Sequence, residues 1–377
     1  MAETMTREER LKAAFTYCEK PDRVPVTPAV SGYTAASFYG KTFAESHIPE
    51  VGLDLILKSF DDLGGWDGIY LDLPLVEAFQ ILVYRQPMRW KIPGRDLPDN
   101  YINQPFEEEV LKAEDYDKIL EMGFENFWNE DYVFRVTDWQ PGSLDEQWEM
   151  IANLAEHGAA EWAKRDVASL FGWGECHPFF ILSLARSFVP FTKDLYFNAD
   201  KVEAVISKMT DEAIPRIIAT LKEAGSNNML IGEERASAFH YPPEMFDRFW
   251  MPYTAKMVDA FWSEGIFTTF HLDTDFSKNV HAFKQLPEKS FCLHFDSTTD
   301  MFKAKEIMGN HCSFMGDVPA AMLSLGTPQD VEAYSTKLIK EVGKDGGFIL
   351  NAGCECPCDA KKENIQAMID VAKTSLY

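Results

Sequence analysis

Positive charge is in short supply in this chain, where 36 lysines and arginines face 60 aspartates and glutamates for a formal net charge of -24. That balance opposes condensation onto nucleic acid or anionic lipid, so the expected partners are small molecules and other proteins, with no nucleic acid and no membrane. Long apolar runs are missing too, and none could span a bilayer. The stretch Met1-Ala2-Glu3-Thr4-Met5-Thr6-Arg7-Glu8-Glu9 has no apolar signal region and nothing like a transit peptide, so a cytoplasmic location is expected. Cysteine is sparse, 7 in 377 residues, and without a secretory signal these read as reduced thiols, either core residues or ligands. Internal repeats, low-complexity tracts and proline-rich linkers are absent. No glycine-rich dinucleotide or P-loop fingerprint follows any strand-like run, which removes the usual reason for an open doubly wound sheet.

What is present suits one large core: 46% of residues are hydrophobic and 25% charged. Thr6-Arg7-Glu8-Glu9 forms a capping box that opens an amphipathic helix with Leu11, Ala14 and Phe15 on one face, ended before Pro21. Short apolar runs that read as buried parallel strands follow at residues 23–28, 68–71, 167–171, 228–231, 266–270, 291–295, 312–315 and 348–350. Helical patterns lie between them, over 246–264 and over 328–342, the latter with Thr327 as N-cap and Pro328 at its first position. Eight strands alternating with helices predict an α/β fold, a closed (β/α)8 TIM barrel forming a single domain over 1–377. The interval 80–165, between the second and third strands, is too long for a simple crossover. It holds Trp90, Trp128, Trp139, Trp148 and Trp162, and reads as an inserted, aromatic-rich cap whose aromatics pack as a satellite core or, at a barrel mouth, help shape a ligand pocket.

In such a barrel the active site lies at the carboxyl ends of the strands. The residues just after each run are Asp72; Trp173, Cys176 and His177; Glu233 and Glu234; His271 and Asp273; Asp296; Asp317; and Asn351 and Cys354. His271 and Asp273 stand two apart in an extended segment, so both can point the same way and touch one metal ion. The plain alternative is a histidine bonded to a neighbouring loop and an aspartate capping the next helix. Cys354 follows Gly353 directly at another strand end; imidazole, carboxylate and thiolate with an open fourth place make a catalytic zinc arrangement. Cys356 and Cys358 read as loop residues beside Pro357, and Cys18, Cys176, Cys292 and Cys312 as packing.

Glu233 and Glu234 lie on opposite faces, so only one can enter the mouth, as a general acid or a ligand; a salt bridge to Arg235 is the bland reading. Asp72 is similar. A carboxyl group among aromatic side chains is held protonated by desolvation and can donate to a leaving group. Trp173, His177, Glu233, Phe239, His240 and Tyr241, with Asp296 and Asn351, are the candidate substrate contacts.

In their order these pieces resemble the uroporphyrinogen decarboxylase superfamily, which includes the methylcobamide:coenzyme M methyltransferases and the corrinoid-dependent demethylases. The landmarks are Glu9-Arg10-Leu11, Pro21-Asp22-Arg23-Val24-Pro25, Ala113-Glu114-Asp115-Tyr116-Asp117, Pro243-Glu244-Met245-Phe246, Pro252-Tyr253, His271, Asp296, Gly316-Asp317-Val318-Pro319, Leu325-Gly326-Thr327-Pro328, 347–354 and 363–368. The family fold is the (β/α)8 barrel. The decarboxylases recognise a polyanionic tetrapyrrole with arginines after the first strand, but Thr27-Pro28-Ala29-Val30-Ser31-Gly32-Tyr33 has none. The thiol methyltransferases carry His-x-Cys and a later Gly-Cys; this chain keeps His271 and Cys354 but has Asp273 at the first cysteine, which leaves a harder, more Lewis-acidic centre. The resemblance therefore implies a corrinoid-dependent methyltransferase. It would move a methyl group from a small methylated donor, foremost an aromatic methyl ether (O-demethylation), to the corrinoid of a separate small protein. Glu234, Asp72 and His271 would be catalytic, and zinc would sit on His271, Asp273 and Cys354. A methylcorrinoid:thiol methyltransferase, a decarboxylase and a non-catalytic docking module for a corrinoid protein are the competing readings.

Overall fold

The structure is a computed structural model that describes residues 3–17 and 19–375; Cys18 lies outside the described residues. Six short runs of alternating large apolar residues form six parallel strands, Trp173–Cys176, Asn228–Glu233, Phe267–Leu272, Phe291–Phe295, Ser313–Val318 and Phe348–Ala352, each paired with the next in chain order. Backbone hydrogen bonds carry on past both edges. Thr27 N–H donates to Leu350 (3.0 Å) and Leu350 N–H to Pro25 (2.9 Å), Asp67 N–H donates to Val26 (2.9 Å), Ile69 N–H to Ala168 (3.0 Å) and Gly172 N–H to Asn228 (3.0 Å). The two sheet edges are thus joined through residues 24–27 and 67–70. These two segments make single bridges, Val26 with Leu350 and Ile69 with Ser169, not the full strands expected at 23–28 and 68–71. Pro25 and Pro28 have no N–H to give to a ladder, which accounts for the first. The third run is also shifted: residues 168–170 bond back to Ile69, and regular pairing starts only at Trp173.

Strand periodicity divides the core in two. Phe267, Cys292, Met315 and Ile349 pack with Phe15, Tyr70 and Leu170 inside the ring, whereas Phe270, Leu293, Phe314 and Leu350 pack outward against helices such as Met251–Ser263 and Pro328–Glu341. Each such buried side chain contributes about 1.5–3 kcal/mol. Helix Arg7–Thr16 carries the expected capping box, with Glu9 N–H bonded to Thr6 Oγ1 and Thr6 N–H to the Glu9 carboxylate. Helix 328–342 forms as read, over Pro328–Glu341 with Thr327 as cap. The single helix expected over 246–264 is instead two, Pro243–Phe249 and Met251–Ser263, because Pro252 lacks the N–H that would bond back to the preceding turn.

Residues 80–165 contain an antiparallel pair, Arg89–Lys91 with Gln104–Phe106, and the long helix Leu144–Ala163. Trp90, Trp128 and Trp162 are buried in the same continuous cluster as the strand residues, so the separate satellite core expected there is not formed. The segment is tied down by Glu125, which pairs with Arg85 (2.8 Å) and Arg216 (3.0 Å), and by Glu107, which pairs with Arg235 (2.9 Å) after strand Asn228–Glu233. Among the described residues no helix is long and apolar enough to cross a membrane.

Candidate metal centre at the strand ends

His271 is the penultimate residue of its strand, and Asp273 N–H extends the pairing by donating to Glu233 (3.0 Å), so the two side chains emerge on the same side. Cys354 reaches them from the end of the last strand. Gly353 makes that approach possible: its N–H donates to Val318 (2.9 Å), and a Cβ at this position would lie 2.7 Å from the backbone carbonyl of Asp296. His271 Nε2 lies 3.3 Å from Asp273 Oδ2 and 3.4 Å from Cys354 Sγ, and one donor atom from each residue lies within 4.8 Å of the other two. A tetrahedral ion with bonds of about 2.0–2.3 Å separates its donors by about 3.3–3.8 Å, so an N, O, S set spaced this way fits zinc. Replacing Gly353 by alanine is expected to push Cys354 off the rigid Asp296 backbone. Zinc affinity should fall by at least about tenfold, measured by chelator competition, with a smaller proportional effect on thermal stability.

His271 and Asp273 each favour the other's charged form. Burial alone would lower the His271 pKa, but Asp273 and Cys354 outweigh it and hold it well above the usual imidazole value. Burial would raise Asp273, yet His271 brings it below the ordinary carboxylate value. Behind His271 stands a residue the sequence reading passed over. His294 is its register partner on the neighbouring strand, with the two Nδ1 atoms 3.0 Å apart. His294 is fully buried, its Nε2 is 3.0 Å from Ala352 O, and its Nδ1 is also 3.0 Å from the Tyr70 hydroxyl. The signal is the alternation within 291–295, which turns His294 inward from inside its strand and not from beyond its end.

The two adjacent glutamates part as their alternation requires. The Glu233 carboxylate is buried and accepts the N–H groups of Glu234 (2.9 Å), Arg235 (2.8 Å) and Ala236 (3.1 Å) and the indole N–H of Trp250 (2.8 Å). These bonds commit it to shaping the loop, and burial pushes its pKa up to about 8. Glu234 is half-buried, raised by burial, and close enough to Asp273, Glu107 and Asp296 to feel their charge. Arg235 bridges to Glu107, so the bland salt bridge to either neighbour is not formed.

Several other expected contacts are committed elsewhere. His177 has no exposure; its Nδ1 caps helix Pro178–Arg186 through Phe179 N–H (3.1 Å), and its Nε2 meets Thr254 (3.2 Å). Asn351 is buried inside the ring, its amide against Met315 Sδ (3.4 Å) and the Ala352 N–H (2.7 Å). Asp296 accepts the N–H groups of Thr274 (3.0 Å) and Thr298 (2.9 Å), pinning two rim loops together. Tyr241 is buried, stacked on Phe188 and bonded to Thr192 (3.1 Å), whereas His240 is half-buried and Phe239 is 69% exposed. Trp173 is half-buried and donates to Glu175 (2.9 Å). Asp72 is raised by burial, and its charge reaches Tyr84, whose ring packs over Gly174. Glu355, directly after Cys354, is pushed up to about 7 by burial and also acts on Tyr84. Neither Tyr84 nor Glu355 was anticipated; Tyr84 fell in the segment read as cap.

Asp317 turns to helix Pro328–Glu341 and accepts from the Tyr334 hydroxyl (2.9 Å). Burial pushes its pKa up to about 7 from 3.8. The native state therefore binds this proton more tightly than the unfolded chain, and its contribution to stability falls as pH rises between about 4 and 7. Asp317→Asn should match the parent near pH 4 and exceed it at pH 8, read from denaturant midpoints.

Residues 177–375 match the family model described as Uroporphyrinogen decarboxylase (URO-D). The chain is 27% identical over 188 residues to a "Methylcobamide:CoM methyltransferase MtbA" of Methanosarcina mazei and 25% identical over 184 residues to a protein of the same name from Methanosarcina acetivorans. Each alignment covers 49% of this chain and 52% of the relative. A uroporphyrinogen decarboxylase of Coxiella burnetii is 20% identical over 191 residues, 50% of this chain and 52% of that protein. The chain thus spans about half the length of the curated relatives it matches. Its fold is like that of a solved "methyltransferase from Methanosarcina mazei", with a TM-score of 0.70, 18% identity and 98% of each chain covered.

Proposed function

The chain belongs to the uroporphyrinogen decarboxylase family, and from that premise we propose that it is a methyltransferase that works with a separate corrinoid-binding protein. The observation that carries the reading is the meeting of His271, Asp273 and Cys354, from two strand ends, in a donor set suited to zinc. We take the hydrogen-bonded ring to be a (β/α)8 barrel and residues 80–165 to be a cap at its mouth, contributing Glu107 beside Arg235.

Zinc held by these residues would supply Lewis acidity to the heteroatom that bears the methyl group. Replacing a second thiolate by Asp273 favours an oxygen there, so the donor we favour is an aromatic methyl ether. As the methyl carbon leaves oxygen for the reduced corrinoid of the partner, which provides the electron pair of the new bond, the pair of the broken C–O bond stays on oxygen and takes a proton. Glu234 is the group suited to give it, since burial favours its protonated form. Asp72, likewise raised by burial, is the second candidate acid. Half-buried Trp173 and His240, with exposed Phe239, offer aromatic faces for a flat guest.

The reverse-direction alternative, methylcorrinoid to thiol, draws support from the printed names of the two Methanosarcina relatives. Decarboxylation of a polyanionic tetrapyrrole is disfavoured by the arginine-free segment 27–33. A panel of methoxybenzenes, methylamines and thiols, assayed against a reduced and a methylated corrinoid protein, separates these readings. Demethylation of a methoxybenzene supports the first; activity confined to thiols selects the second.

A further inference from the structure

We propose that His294 is a positioning residue that holds His271 with hydrogen on Nδ1 and turns its Nε2 lone pair to the metal. The inference deepens the metal-centre reading above and rests on it.

The argument is one of donors and acceptors. Ala352 O can only accept, so His294 Nε2, 3.0 Å away, carries a hydrogen. A neutral ring then leaves Nδ1 as an acceptor with one lone pair; His271 Nδ1, 3.0 Å away, must carry the hydrogen between the two nitrogens, and the Tyr70 hydroxyl, also at 3.0 Å, shares the same lone pair. The ring is completely buried, and none of its three hydrogen-bond partners is a carboxylate that could balance a charge on it. With hydrogen fixed on Nδ1, the nitrogen of His271 left to coordinate is Nε2, the one aimed at Asp273 Oδ2 and Cys354 Sγ.

The ring plane is fixed as well. The two imidazoles lie 4.7 Å apart at 39°, and Tyr70 sets its edge against both, at 5.2 Å from His294 and 6.2 Å from His271. His294 and His271 are paired in register on adjacent strands, and Ala352 stands two residues before Cys354. The carbonyl that sets the tautomer therefore rides on the segment that brings the thiol ligand.

Three measurements test this. Zinc affinity is read by chelator competition, and the electronic spectrum with cobalt(II) in zinc's place, for the parent, His294→Leu and His294→Asn, whose amide oxygen can stand near the Nδ1 position. The leucine variant should bind zinc about 10–100-fold more weakly and shift the cobalt bands, and asparagine should recover most of the affinity. Equal affinity in all three, or equal loss in both variants, overturns the proposal. In the unmutated zinc-bound protein, ¹⁵N histidine shifts should give His294 as the Nε2–H tautomer and His271 with hydrogen on Nδ1; the opposite tautomers overturn it even where no variant folds. A folded parent that takes up no zinc defeats the metal-centre reading itself, an outcome distinct from a parent that binds zinc with His294 in the wrong tautomer.

Discussion

His271→Ala is expected to fold, to bind the proposed corrinoid-protein partner, and to transfer methyl groups more than about 100-fold more slowly than the parent. The alanine leaves the backbone of strand Phe267–Leu272 intact, and its pairing on both sides needs no imidazole. What is lost is the group common to both short contacts of the centre, with Asp273 at 3.3 Å and Cys354 at 3.4 Å, so the remaining two donors have nothing to hold them around an ion. Truncation also strips His294 Nδ1 of one of its donors, but Tyr70 still occupies that nitrogen, so the interior hydrogen bonding survives. The checks are turnover, bound zinc and partner binding on the same preparation. Unchanged turnover with zinc lost would move the chemistry to the carboxylates, or leave the chain as a docking module.

The largest stability effect should come from a residue remote from the chemistry. Asp67 is fully buried; one oxygen pairs with Arg10 (2.7 Å) and with Arg23 Nη2 (2.9 Å), while the other accepts from Arg23 Nη1 (2.7 Å) and from Val26 N–H (2.8 Å). Arg10 is itself fully buried and also pairs with Asp22 (2.7 Å) and Glu3 (3.2 Å), and Arg23 also pairs with Glu3 (2.8 Å). Removing the shared carboxylate takes away the one fully buried counter-charge of both guanidinium groups and leaves a backbone donor unmet. Asp67→Ala is therefore expected to cost roughly 3–5 kcal/mol, seen as a lowered denaturant midpoint with little change in slope. The damage should concentrate where the ring is thinnest, because this cluster ties helix Arg7–Thr16 to residues 23–26 and 67, the segments that join the sheet edges by single bridges. A loss under about 1 kcal/mol would mean that water or other carboxylates replace Asp67 freely.

Much of this architecture was legible because it rests on local rules. The runs at 228–231, 266–270, 291–295, 312–315 and 348–350 became strands since alternation and β-branched or aromatic content act residue by residue. Thr6 and Thr327 capped the helices they were expected to cap, for the same local reason. Where two rules competed, the reading slipped: an apolar periodicity runs through Trp250, but Pro252 breaks the helix there. Side-chain destinations were less legible, since they depend on partners far away in sequence. Nothing near Glu233 announces that the Trp250 indole will meet it, and nothing near His177 announces Thr254. His271, Asp273 and Cys354 could be grouped because spacing and strand-end position constrain them together; their convergence is now a matter of distances. Tyr70 and His294, 224 residues apart, meet only through the folded ring.

The central claim, that these three residues hold a zinc ion where the methyl group moves, is tested most directly by counting zinc in active protein. Parent that transfers methyl groups should carry one zinc per chain, and Cys354→Ala prepared alongside should carry far less and be correspondingly slow. Full activity in parent freed of zinc, or full zinc content in the Cys354→Ala protein, would contradict it.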